Sequence, residues 1–114
     1  MIESYHNQII QTFKDNLGYF EPVLGFPIKQ TQSGIYFHPF GEIDLIVDGF
    51  TNERCLIEVK SNNGATGKFL HKQFKVYRKF DPNASIYLLL GTTNCSLNLE
   101  ELTLIRHHAG VWCA

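Results

Sequence analysis

Little in this chain names its chemistry outright, and the shortages are informative. Its 114 residues include three cysteines, Cys55, Cys95 and Cys113. They are odd in number and form no C-x-x-C, which argues against a disulfide scaffold or a zinc site and for a reducing compartment. No apolar run approaches the roughly 18 residues a membrane helix needs, and the N-terminal residues lack the pattern of a secretory signal. The expectation is a soluble, cytoplasmic protein with no membrane partner. Charge of one sign is also lacking: Lys and Arg number 10, Asp and Glu 11, and the net charge is −1. No global field draws in a polyanion, so any nucleic-acid contact must rest on a local patch. Internal repeats, linkers and low-complexity tracts are absent. The length predicts a single domain over 1–114, and a hydrophobic fraction of 44% is enough for a core.

The densest pattern is GEIDLIVDGFTNERCLIEVK, Gly41 to Lys60. Ile43, Leu45 and Val47 alternate with Glu42, Asp44 and Ile46, and Cys55 to Lys60 is rich in Leu, Ile and Val. Both runs predict strands, and DGFTNER between them predicts a turn. A hairpin turning about Thr51 sets Asp48 opposite Arg54, Asp44 opposite Glu58 and Glu42 opposite Lys60. A bulge would flip the faces. Asp48–Arg54 is an ordinary opposite-charge pair. Asp44–Glu58 is not: like charges across a sheet face destabilise it, more so when desolvated. A cation between them relieves the repulsion, and two carboxylates suit Mg²⁺, which keeps waters and meets phosphates. The bland alternative is a solvated face with a Glu42–Lys60 salt bridge and no metal. The apolar flanks argue against it.

Elsewhere, Ile2, Tyr5, Ile9, Phe13 and Leu17 recur at spacings of three and four. They predict a first helix over 2–17 with Gly18 as its C-cap. Residues 20–40 hold Pro22, Gly25, Pro27, Gly34 and Pro39, which predicts broken extended structure with a short strand at 34–37. Phe69, Leu70, Gln73, Tyr77 and Phe80 share one face of a helix in KFLHKQFKVYRKF. Gln73 is a polar residue in that apolar stripe, and a buried amide needs partners. The same helix carries Lys68, Lys72, Lys75, Arg78 and Lys79, five of the chain's ten Lys and Arg. That is a basic surface fit for phosphate contacts, or else a solvated helix exterior. SIYLLLG predicts a buried strand beside the IEVK strand, parallel to it across the basic helix. LNLEELTLIRHH predicts a last short helix, with His107–His108 at its end in water or, as the alternative, near substrate, and Trp112 is expected to anchor the tail.

GEID followed by IEVK resembles the PD-(D/E)xK nuclease superfamily, which includes archaeal Holliday junction resolvases, many restriction enzymes and RecB-like nucleases. Asp44 matches the first acid, and Glu58 and Lys60 match the (D/E)-x-K. Ile43 stands where the motif's proline would be. QFKVY, Gln73 to Tyr77, resembles the Q-x-x-x-Y signature of RecB-like members. The matching elements span Gly41 to Tyr77. The resemblance implies an α/β, restriction-endonuclease-like core: a central mixed sheet of about four to five strands flanked by helices. It implies a Mg²⁺- or Mn²⁺-dependent DNA endo- or exonuclease. Asp44, Glu58 and the backbone of Val59 would hold the metal, Lys60 would act on the attacking water, and Gln73 and Tyr77 would support the site. Many members carry an acid on the first helix that reaches the metal. Glu3 is the best match, with Glu21 second, and the alternative for Glu3 is a favourable helix-dipole contact alone. DNA is the implied partner, with Lys68, Lys72, Lys75, Arg78 and Lys79 as contacts, and the protein would act as a homodimer or within a larger assembly. The competing expectation is a non-catalytic module that binds nucleic acid or protein on a nuclease-like fold.

Overall fold

A computed structural model of the chain describes residues 4–61, 67–91, 98–108 and 111–113, with the backbone alone at 61, 67–70, 108 and 111–113. The first helix, α1, runs Tyr5–Asp15 and is shorter than the periodicity predicts. Ser4 begins it, its Oγ accepting the Asn7 N–H at 3.2 Å, a standard N-cap arrangement. Asn16 ends it, its N–H donating to the Phe13 carbonyl. Gly18 is therefore not a cap. It lies inside a second helix, α2, Leu17–Leu24, where the sequence predicts broken extended chain. Pro22 sits within α2, and burial of Phe20 and Leu24 outweighs that breaker. Gly25, at φ +87°, closes α2 in the left-handed conformation.

Among the described residues six strands form one mixed sheet in chain order, where a mixed sheet of about four to five is expected. They are β1 Ile28–Phe37, β2 Gly41–Gly49, β3 Arg54–Ser61, β4 Ser85–Gly91, β5 Thr103–His108 and β6 Val111–Cys113. β1 has ten residues where a short strand at 34–37 is predicted. Only β3 and β4 are parallel, Cys55 lying beside Ser85 and Ser61 beside Gly91. The third helix, α3 Gly67–Phe80, makes that crossover, as the apolar run predicts. The predicted last helix is absent from the described residues: a 3-10 turn at Leu99–Glu101 leads into β5. Antiparallel pairing of β5 with β4, Leu104 beside Leu89, covers an edge that would otherwise stand open. His107 is thus a strand residue, its ring stacked 3.7 Å from Phe74 of α3.

The sheet is covered on both faces. Ile9, Ile10, Phe13, Phe20 and Leu24 of α1 and α2 pack on Leu45, Val47, Ile57, Val59 and Leu89. On the other face Tyr77 of α3 packs with Ile43, Ile46, Leu56 and Ile86. Cys55 is free and buried, and burial pushes its thiol up to about 12, so it is an inert core residue. Gly91 lets α1 approach: a Cβ there would come 2.7 Å from Cδ1 of the fully buried Ile9. Gly91→Ala should therefore destabilise the fold by about 1–3 kcal/mol through overpacking. A urea denaturation midpoint equal to wild type would show that α1 is not held that closely. Among the described residues no helix is long and apolar enough to cross a membrane.

Candidate functional site

The predicted hairpin register holds through four pairs, Asp48–Arg54, Val47–Cys55, Ile46–Leu56 and Leu45–Ile57. The Asp48–Arg54 pair forms as expected, with Arg54 Nε donating to Asp48 Oδ1 at 2.7 Å. That bond holds the Asp48 carboxyl below its ordinary range. Ladder pairing of β2 with β3 runs as far as Leu45–Ile57 and stops there. At that point the alternation of β2 breaks. Leu45 and Val47 face α1 and α2, yet Ile43 shares the α3 face with Ile46. The facing strand breaks at the same level. Ser33 Oγ accepts from Lys14 of α1, while Ile35 packs on the α3 side. Between them lies Gly34, at φ +64°, a conformation that suits glycine. The β1–β2 register is the same on both sides of this step, with Ser33 beside Leu45 and Ile35 beside Ile43.

The consequence falls on Asp44. Its carboxylate turns toward β3 and accepts the Val59 N–H at 2.8 Å through Oδ2. Its own N–H donates to the Tyr77 hydroxyl at 3.1 Å. That hydroxyl donates to Glu58 Oε2 at 2.6 Å. Side-chain groups thus take over the role of backbone partners where the ladder stops. The two carboxyls meet there, although not as the simple cross-strand pair the register predicts. Asp44 is 6% exposed and Glu58 5%. Burial, with the Asp44 charge second, pushes the Glu58 carboxyl up to about 8. At neutral pH the metal-free Glu58 carboxyl therefore holds its proton, with the Asp44 side chain beside it among the causes. The same burial, with the charges of Glu58 and Asp44, pushes the Tyr77 phenol upward, so it stays a neutral donor.

Lys60 reaches the same place, its Nζ 3.7 Å from Glu58 Oε1. Val59 meets it through the N–H that Asp44 accepts. Gln73 sits one turn before Tyr77 on the same helix face. Its Oε1 is buried and has no hydrogen-bond partner among the described residues. Glu3 lies outside the described residues. Glu21 is elsewhere, accepting the Ile28 N–H at 2.6 Å and tying α2 to β1. The residue of α1 that does reach the acids is His6, its Nε2 3.3 Å from Asp44 Oδ2. The hydrogen bond to Asp44 raises its pKa, against the lowering by burial. Sequence reasoning passed over His6 as one of five scattered histidines. The available signal was its place beside Tyr5 and one turn before Ile10.

The α3 cations divide. Arg78 Nη1 donates to the carbonyls of Pro82 and Ala84 at 2.8 and 2.7 Å, closing the turn into β4. Lys79 lies over the Phe40 ring at 4.2 Å. Lys72 and Lys75 are exposed. By helical geometry Lys72, Lys75 and Lys79 lie on the side of α3 roughly opposite Tyr77, and so face away from the acid pair. The side chain of Lys68 lies outside the described residues.

Among the described residues no three His, Cys, Asp or Glu side chains are grouped as a ready metal cage. Two buried carboxyls brought together, and on the helix that carries Tyr77 a buried Gln73 amide oxygen with no partner among the described residues, do fit a hard ion that keeps most of its waters. Neither a protein family, nor a characterised protein, nor a solved structure matches the chain.

Proposed function

We propose that this protein is a metal-dependent phosphodiester hydrolase acting on DNA, with a restriction-endonuclease-like core. The observation that supports this reading best is the buried Asp44–Glu58 pair where β2 and β3 stop pairing, with Lys60 beside it. Asp44, Glu58 and the Val59 carbonyl would hold Mg²⁺ or Mn²⁺, which when bound lowers the pKa of a water and offsets charge on the phosphate. Lys60, the cation of the site, orients the attacking water and balances charge developing on the phosphoryl oxygens. Tyr77 holds Glu58 in place and occupies the gap beside Asp44 N–H. Gln73 offers its free carbonyl oxygen to a water proton. α1 and α3 keep bulk water from the acids on either face.

Cleavage of a labelled DNA panel (single-stranded, duplex and branched) in Mn²⁺ is the direct test. Asp44→Asn should lower the rate by about 10²-fold or more while the fold survives. Cleavage at the wild-type rate would remove Asp44 from the chemistry.

The competing reading is a non-catalytic binding module. One observation favours it: Asp44 Oδ2 already accepts from Val59 N–H and lies against His6, so Asp44 has a structural role without any ion. Metal titration separates the two. A site that binds Mn²⁺ should stabilise the protein by about 2.7 kcal/mol at a hundred times Kd. A melting temperature that ignores millimolar Mn²⁺ at pH 8 would leave the binding module standing.

A further inference from the structure

Next to the acid pair, α1 and the β1–β2 hairpin enclose an open polar cleft of about 370 Å³. Asn7, Gln11 and Lys14 form one wall at helical spacing, and Ser33 and Glu42 form the other. His6 stands at its inner end, where it touches Asp44. Gly34 keeps the floor open, since a Cβ there would lie 3.2 Å from Glu42 Oε1. Lys14 Nζ donates to Ser33 Oγ at 2.7 Å, which holds the ammonium group at the cleft rather than in free solution.

We propose that this cleft takes one strand of the DNA substrate, with Lys14 and Ser33 holding a backbone phosphate a few nucleotides from the one that meets Asp44 and Glu58. The inference rests on the nuclease reading of the adjacent acids and extends it to how the strand runs. The row Lys72, Lys75 and Lys79 lies opposite Tyr77 on α3, so a strand laid along it would pass over the wrong face of that helix. The cleft instead leads from the acids. His6 and Lys14 are separated by about 12 Å of helical rise, so Lys14 lies a short run of nucleotides from the acids along a strand. Its donors are those that recurrently bind phosphate and sugar: a lysine, a hydroxyl and two carboxamides. Glu42 is the one acid among them. It repels phosphate and accepts from base amino groups, so it gives the cleft two unlike walls and sets which side of the strand faces the sheet.

The test is fluorescence anisotropy of a labelled single-stranded oligonucleotide in EDTA, across a salt series. Lys14→Ala should weaken binding about 5- to 10-fold and flatten the dependence of log affinity on log salt by about 0.7, the release of one counterion from a single strand. Lys14→Arg should bind as wild type. Glu42→Gln should bind about 2- to 3-fold tighter, a gain that a misfolded variant would not show. Lys29→Ala, the same charge change at the far end of β1, should leave affinity unchanged. Wild-type affinity in Lys14→Ala with loss in a Lys72→Ala, Lys75→Ala double variant would overturn the assignment, and so would failure of the wild-type protein to bind. The readout uses no metal, so it fails separately from the nuclease reading. Binding through Lys14 without cleavage in Mn²⁺ would sink the hydrolase and keep the cleft. Cleavage unaffected by Lys14→Ala would do the reverse.

Discussion

Glu58→Gln is expected to stabilise the metal-free protein at pH 8 by about 2–4 kcal/mol and to remove most of its loss of stability between pH 5 and pH 8. In the folded chain the Glu58 carboxyl keeps its proton up to about 8, against an ordinary value of 4.5. Between those values the native state holds a proton that the unfolded chain has released. Stability therefore falls as pH rises through that window, and it is fully present only below the unfolded value. The full gap between the two values would give a still larger figure; relaxation of the site and the nearby Lys60 ammonium reduce it. Glutamine is neutral at every pH. Its carbonyl can accept the Tyr77 hydroxyl, and its amide can donate to Asp44. The measurement is urea denaturation in EDTA at several pH values. A wild-type protein as stable at pH 8 as at pH 5, with no gain in the variant, would contradict a Glu58 that folds with its proton. The same substitution should abolish stabilisation by Mn²⁺. A residue that costs stability when empty and gains a ligand when filled is the usual trade at a functional site.

Tyr77→Phe carries the second large effect. The ring is 1% exposed and packs between α3 and the sheet, so phenylalanine preserves the packing and deletes one oxygen. That oxygen accepts the Asp44 N–H and donates to Glu58. Its loss strands a buried backbone donor, at a cost of about 1–3 kcal/mol. It also frees the Glu58 carboxyl to turn, and Mn²⁺ affinity should fall about 10- to 100-fold, the range for an outer partner of a metal ligand. Denaturation and metal titration on one preparation read both. Unchanged values for each would reduce Tyr77 to a core aromatic.

Much of the frame was legible in the sequence. The hairpin about Thr51, the Asp48–Arg54 pair, the parallel β3–β4 crossover through α3 and the burial of Tyr77 all follow from local patterns. Helix α2 was hidden because Gly18, Pro22 and Gly25 read as breakers, while the decisive quantity was burial of Phe20 and Leu24 in the tertiary core. Strand β5 was hidden for a similar reason. Leu104 and Ile105 keep helical spacing with Leu97 and Leu102 before them, and only the open edge of β4 makes extended pairing the better solution.

The candidate site divides along the same line. The order of acids, lysine, glutamine and tyrosine along the chain determined which groups could meet, because strand and helix periods place them on predictable faces. Tertiary structure decided how they meet. The break in alternation at Gly34 and Asp44 turns one carboxylate between the strands, and α1 supplies His6 from far away in sequence. The break has no local signature, and His6 has only its place beside the apolar stripe of α1. Asp44 turns as it does because backbone donors exposed where a ladder ends must be satisfied by whatever side chains come within reach.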